Sequence, residues 1–505
     1  MDYHNVKQKE CDLVVIGGGG GGMVAAARAA WLSGKKIIVL EKSDRTGGGA
    51  AMARAIRTFG SKWQKKRGLP DVTQQFILDG MDKTYWRLDP KLVANCIRAT
   101  GEFFDWFLEA GNIDEDEFEA SFYIFDGPDG PKVPLLKKGR PTGKLVMDTM
   151  LKLCQKLGVE ILTGHKVVDI EVKDGRIIAV IAETENGYLR VSCRACVLAS
   201  GSWIRNEKIM KKIAPVFLEI MSQYNFPGGH FNVNYTGDGI VLAEKVGAFV
   251  DYDSFCIRPM GPGSMSKSIV MNTMSNSPYC IMVNLNGKRW VCEPPQVRMG
   301  FFNSGHVLME QPKGISYAIF DENTLKAAIE DSKKPREGWG GFFGHPKFPE
   351  TMDEVYADIA KALGDEQSHA FKADTVEELA VKIGVDPGVL KDTIARYNAS
   401  CESGVDWDFF KPAKDLVPLN KSPYYAIRGD LGSDGAFGGV LVNPDMQAYK
   451  KGGGLVEGLY VVGDFASGRH INMGGVKVQV INDCSWAFAS GFIAASSACK
   501  YLESH

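Results

Sequence analysis

The sequence predicts an α/β protein: a parallel-sheet domain assembled from both ends of the chain, with an α+β cap inserted between them. Three observations carry that reading. Cys11–Ile16, Gly17–Gly22, Met23–Ser33 and Lys36–Leu40 read as strand, glycine turn, helix and strand within about 30 residues, a βαβ unit. Buried-type strand signals return in the last hundred residues, at Gly439–Val442 and Gly458–Gly463, before a long small-residue helix over Asp483–Leu502. Between them the texture changes to more charge and irregular Gly, Pro and aromatic loops. The expected division is 1–264 and 416–505 as the two parts of one domain, with 265–415 as the cap.

The elements follow in order. Met23–Ser33 is alanine-rich, with high helix propensity. Pro90–Ala110 and Gly143–Leu157 carry helical patterns, and Val159–Leu162 and Lys166–Val172 read as strands. The turn pair Asp174-Gly175 opens a meander through Ile177–Glu183 and Tyr188–Cys193. Ala195–Ala199 is a buried-type strand ending on Ser200-Gly201. Three helical patterns mark the middle region: Thr351–Leu363, Thr375–Ile383 and Asp386–Ser403.

Composition narrows the function classes. With 59 Lys+Arg against 61 Asp+Glu the formal charge is −2, so no one-sided field recruits nucleic acid or an anionic membrane. No apolar run approaches the roughly 18 residues of a membrane span. The polar Met1–Glu10 shows no signal peptide, and eleven irregularly spaced cysteines suit a reducing compartment; the expected location is cytoplasmic. Cys193-x-x-Cys196 lacks a second pair and enters a buried strand, so it reads as core thiols, and no metal is expected.

Glycine, at 57 residues, is clustered where chemistry is expected. Gly17-x-Gly19-x-x-Gly22 lies between strand and helix, with Glu41 nineteen residues on. Such glycines allow a tight turn, the approach of a pyrophosphate and close helix–strand packing. The helix start offers free N–H groups and a positive dipole end, and Glu41 would accept from both ribose hydroxyls. In Glu41–Gly48, Arg45 and Gly47-Gly48 suit a second phosphate and the approach of a flavin. Leu198–Gly201 and Gly458–Asp464 are strands ending in tight turns, and Asp464 could hold a ribityl chain. Backbone N–H groups of Asn472–Gly475 could stabilise charge at N1 and O2 of a reduced flavin.

These four motifs, in this order, resemble the flavoproteins of the fumarate reductase and 3-oxosteroid dehydrogenase superfamily over nearly the whole chain. Further matches are Thr236–Ala248, Val283–Arg289 with Glu293, and Pro423–Gly439; the last looks more like the ketosteroid branch. The resemblance implies a Rossmann-like FAD-binding domain, a cap over the isoalloxazine, and hydride exchange with a carbon near an activating carbonyl. It places Gly17, Gly19, Gly20 and Gly22 at the first phosphate turn. Glu41, Lys42, Arg45, Thr46, Gly47 and Gly48 fall on the second loop, and Val168, Ala199, Ser200, Gly201 and Asp238 are further cofactor-binding positions. Gly463, Asp464, Gly474, Gly475 and Val476 fall toward the flavin.

The same resemblance frames the substrate. Fumarate reductases clamp two carboxylates with a His and an Arg; here Ser433–Gly439 lacks the His, and Asn472 stands at the Arg position. No Asn replaces a bidentate guanidinium fork, so a dicarboxylate is disfavoured. Arg469 and His470 could still meet one carboxylate. Arg298 falls near the proton-transfer position, Tyr425 and the Gly429 N–H at positions that hold a ketone oxygen, and Tyr123 where a further active-site tyrosine occurs. The leading expectation is reduction of a cyclic enone, steroid or bile-acid-like; the alternative is an acrylate-type reductase. A flavin-binding electron carrier is the rival from another class. With no attached haem motif, electrons come from a separate donor, NAD(P)H or a reduced redox protein. The aromatic loop Trp339–Phe348 reads as a lid or a satellite cluster.

Overall fold

The computed structural model describes residues 3, 5–53, 55–122, 132–136, 141–213, 215, 217–218, 234–263, 266–295, 301–333, 348–468, 470–473, 476–479 and 483–505. The strands in chain order are β1 (Val6–Glu10), β2 (Leu13–Ile16), β3 (Ile37–Leu40), β4 (Phe118–Phe122), β5 (Lys132–Leu136), β6 (Glu160–Leu162), β7 (Lys166–Lys173), β8 (Arg176–Thr184), β9 (Gly187–Ser192) and β10 (Ala195–Leu198). They continue with β11 (Cys256–Gly263), β12 (Ile281–Asn284), β13 (Ile315–Asp321), β14 (Ala370–Ala373), β15 (Tyr424–Phe437), β16 (Gln447–Tyr449), β17 (Leu455–Val461), β18 (His470–Met473) and β19 (Val476–Gln479). The helices that position the site are α1 (Gly20–Ser33), α2 (Pro90–Gly111), α3 (Thr142–Lys156), α4 (Val376–Ile383), α5 (Pro387–Ser403) and α6 (Asp483–Ser504).

The main sheet runs β1-β9-β8-β17-β10-β2-β3-β6, with β7 on β8 and β16 on β17. Its centre, β17-β10-β2-β3-β6, is parallel. Every residue of β2, β3 and β10 is buried, as expected for strands covered on both faces. β17 comes from the far end of the chain, so the predicted joining of both termini into one α/β domain is observed. α6 completes it by lying along α1, where Gly491 meets the Gly21 backbone so closely that a Cβ would collide. The alanines of α1 make that approach possible, being buried throughout.

The second sheet is antiparallel, ordered β11-β15-β13-β12 with β14 on β15. Beneath it lies a separate core: Ile281, Ile315, Ile319 and Ala426 pack with Leu379, Ile383, Leu390 and Tyr397 of α4 and α5. Two of its strands, β11 and β15, lie outside 265–415. Gly439–Val442 forms isolated bridges at Val440 and Val442 instead of a strand. The meander, α2, α3, α4, α5 and α6 fall within a residue or two of their expected limits.

Ser202 joins the two sheets. Fully buried after β10, its hydroxyl donates to the Ala436 carbonyl at 2.9 Å and accepts the Ala436 N–H at 3.1 Å on β15. Ser202→Ala leaves both backbone groups unpaired in the interior and is expected to cost about 1–3 kcal/mol. A denaturant midpoint identical to wild type would show the bridge to be dispensable.

Candidate cofactor and active site

The glycine turn after β2 opens the site. Gly17 has φ +106°, and a Cβ there would stand 2.5 Å from the Ala199 carbonyl oxygen, while one on Gly22 would strike the Gly17 carbonyl. These contacts draw α1 against β2 and β10. Gly19 is the N-cap of α1, with no capping side chain and no acid in the first turn. A Cβ on Gly19 would meet nothing within 4 Å. The helix therefore presents uncapped N–H groups and its positive end to open space, which fits a phosphate. Gly20 begins α1, tight against Ala50 and Phe488.

The loop after β3 folds over this turn. Gly47 N–H donates to the Gly18 carbonyl at 2.9 Å, and Gly47 and Gly48 have φ +123° and +52°. Glu41 accepts from the Gly18 N–H at 2.7 Å and the Ser43 N–H at 2.8 Å, which fixes its carboxylate beside the turn. Lys42 donates to Thr236 and to Asp238, both at 2.7 Å, so two residues expected 196 positions apart on one cofactor are in direct contact. Arg45 and Thr46 border a cavity of about 460 Å³ with Leu151, Gln155 and Ile161.

On the other wall, Ala199 N–H donates to the Ile16 carbonyl at 2.8 Å, and the Ser200 hydroxyl accepts the Gly239 N–H at 3.0 Å. Gly201 has φ +74°. A register shift between Val167 and Asp169 takes Val168 out of the β7–β8 pairing, and its carbonyl accepts from Lys245 at 3.1 Å. Gly463, φ +78°, is held from both sides: its N–H donates to Ser490 at 3.1 Å and its carbonyl accepts the Trp486 indole at 2.9 Å. Asp464 follows directly. Sequence reasoning did not find Ser490 or Trp486; only the docking of α6 brings them to the turn.

The expected catalytic residues divide. Arg298, Tyr123, Arg469, Gly474 and Gly475 lie outside the described residues, as does all of the aromatic loop before Phe348. Val476 opens β19, opposite Met473. Tyr425 and Gly429 are described, and their placement differs from the expectation. Tyr425 is 1% exposed, its ring stacked on Phe320 at 5.1 Å. Burial pushes its phenol up to about 12, with the Glu322 charge adding to the effect. Arg428 N–H donates to the His369 carbonyl on the β14 side, so strand alternation aims the Gly429 N–H at β13, where it pairs with Ser316. Tyr425 packs in the core of the second sheet, and Gly429 sits in the ladder between β15 and β13.

The Glu293 region is more elaborate than its motif. Glu293, fully buried, accepts the Met282 N–H at 3.0 Å and two Arg289 bonds at 3.0 and 2.8 Å, with the Lys411 ammonium 3.5 Å away. Arg289 also reaches Asp406 at 2.9 Å, and Lys411 donates to the Cys280 carbonyl at 2.7 Å. Burial alone would raise the Glu293 carboxyl, but Lys411 and Arg289 outweigh it and hold it below the ordinary carboxylate range. The partners Asp406 and Lys411 carry no signal in the sequence.

A family model described as an FAD binding domain matches residues 12–476. The chain belongs to that family. The flavoprotein is 25% identical over 447 residues to a probable fumarate reductase of Shewanella frigidimarina, covering 87% of this chain and 67% of that protein. It is 25% identical to the vinyl phenol reductase of Lactiplantibacillus plantarum, covering 93% of this chain and 92% of that one. Its fold matches an open flavocytochrome c3 fumarate reductase with a TM-score of 0.71 at 21% identity, over 98% of this chain and 79% of that one. It also matches the 3-ketosteroid Δ1-dehydrogenase of Sterolibacterium denitrificans with a TM-score of 0.68 at 19% identity, over 98% and 100%. The superfamily read from the motifs is therefore the right one, and this is an FAD-dependent oxidoreductase. The uncapped α1 start, the open face of Gly19 and the fixed Glu41 carboxylate fit FAD. No helix among the described residues is long and apolar enough to cross a membrane.

Proposed function

We propose that this flavoprotein reduces the carbon–carbon double bond of a small conjugated alkene, neutral or monoanionic, with electrons from an external donor, NAD(P)H or a reduced redox protein. The observation that carries the reading is the end-to-end relationship to vinyl phenol reductase, which leaves no large domain unmatched in either chain. Asn472, standing where the resemblance puts a clamping Arg, argues against a dicarboxylate. The burial of Tyr425 and the ladder position of Gly429 make a ketone-holding pair the weaker reading, and the cyclic enone is kept as the alternative.

Bound FAD supplies two-electron hydride chemistry. The chain does the rest. The start of α1 neutralises the diphosphate, and Glu41 meets the adenosine ribose. Glu293, with both oxygens tied to cations, fixes the chain there, and Arg298 follows five residues later in the sequence. Arg298 relays a proton to the carbon beside the one that receives hydride, and a proton drawn from solvent restores its guanidinium.

The test is anaerobic reoxidation of the dithionite-reduced protein, followed at the flavin absorbance, with cinnamate, 4-vinylphenol, acrylate, fumarate and 3-oxo-Δ1 and Δ4 steroids. Fast reoxidation by the vinylarene or the monocarboxylates is expected; a response to steroids alone overturns the proposal. Arg298→Ala is expected to lower turnover by roughly 10²–10⁴ with an unchanged flavin spectrum.

A further inference from the structure

Residues 234–239 bind both walls of the cofactor cleft together. Toward the β3 loop, Asn234 donates to Ser43 at 2.6 Å, and Thr236 and Asp238 take Lys42. Toward the β10 loop, Gly239 N–H donates to Ser200 at 3.0 Å, Asn206 donates to the Thr236 carbonyl at 2.9 Å, and Arg205 N–H donates to the Tyr235 carbonyl at 2.9 Å. The backbone of Tyr235 is thus fixed on both sides.

The Tyr235 side chain spans the space between those walls. Its ring lies over Gly201, where a Cβ would stand 3.4 Å from it. Its hydroxyl rests against Gly49, where a Cβ would collide. Asp464 and Glu41 are both close enough for their charges to act on it. Four separate segments that form the cofactor cradle therefore converge on one phenol. Burial and the Asp464 charge push that phenol up, so it keeps its proton at any physiological pH. A phenol has one O–H to donate. Among the described residues no group accepts the Tyr235 proton.

We propose that Tyr235 is a cofactor-binding residue, its O–H donating to an oxygen of FAD in the cleft between Gly49 and Gly201. Held on both sides before the ligand arrives, the donor contributes with little ordering cost. The inference rests on the FAD reading but concerns a residue outside the glycine motifs.

The experiment measures FAD affinity and release rate by flavin fluorescence for the apoprotein of wild type, Tyr235→Phe and Tyr235→Ala, with ADP as competitor. Tyr235→Phe keeps the ring and is expected to weaken FAD roughly 5- to 100-fold, within the span for one lost hydrogen bond to a neutral or charged acceptor. Tyr235→Ala, lacking the ring as well, is expected to weaken it further. An equal loss toward ADP assigns the bond to a phosphate oxygen; a loss toward FAD alone assigns it to the ribityl chain. Both support the proposal. Affinity of Tyr235→Phe within twofold of wild type, or tighter, overturns it. Should Tyr235→Phe fail to fold, an unchanged release rate in Tyr235→Ala overturns it. Wild-type protein that takes up no FAD overturns this inference and the FAD reading together.

Discussion

Replacing Glu293 with alanine is expected to cost about 3–5 kcal/mol. The reason is what remains. Arg289 keeps Asp406, but Lys411, whose side chain is fully buried, loses its nearest carboxylate. Arg289 and Lys411 also face the ring of Tyr397, each at 5.1 Å, which cannot replace a full negative charge. The Met282 N–H loses its acceptor at the same time. The measurement is a chemical denaturation curve followed by circular dichroism, and a midpoint within error of wild type would refute it. The cluster also sets a pH response. Glu293 and Asp406 are both held below their ordinary range despite burial: Glu293 by Lys411 and Arg289, Asp406 by Arg289. Their folded pKa values lie under the unfolded ones, near 4. The stability they contribute is therefore present above that range and is lost as pH falls through the folded values. Glu293→Gln should flatten that acid limb of the stability profile.

The sequence made the nucleotide domain legible because its signals are local. Gly17, Gly19, Gly22 and Glu41 lie within 25 residues, and each does a job that needs only its neighbours in the chain: a turn, an open face, a close helix and a carboxylate. The second sheet was not legible for the opposite reason. β15 is 14 residues long, yet it contains Gly429, Asp430, Gly432, Ser433, Asp434 and Gly435, residues of low strand propensity. Pairing with β11, β13 and β14 makes it a strand, and no local pattern reports those partners. The same applies to side chains. Tyr425 matched a family position by spacing, but Phe320, 105 residues away, decides where its ring goes. Asp406 and Lys411 are ordinary charged residues until the fold closes them around Arg289. Tyr235 sits beside a motif that was recognised, and its proposed role comes from lying between Gly49 and Gly201.

Two alanine substitutions in one turn are expected to separate folding from cofactor binding. Gly22→Ala places a methyl group into the Gly17 carbonyl, and neither backbone can yield without moving α1 off β2. Overpacking of this kind costs about 1–3 kcal/mol, and the displaced helix start no longer faces the phosphate. The apoprotein should melt earlier, and the purified protein should be nearly colourless. Gly19→Ala differs because its φ of −80° suits any residue and a Cβ there meets no atom within 4 Å. Its apoprotein should unfold within about 1 kcal/mol of wild type, the range for an altered N-cap. The new methyl group nevertheless stands on the open face where the diphosphate must approach the backbone, and it adds bulk between the phosphate and the first free N–H groups. FAD affinity is expected to fall at least about tenfold, which is roughly 1.4 kcal/mol. Calorimetric melting of both apoproteins, beside FAD titrations, reads the two effects independently. If Gly19→Ala binds FAD as tightly as wild type, the phosphate does not sit at the start of α1, and the assignment of that turn to the cofactor fails even though the fold stands.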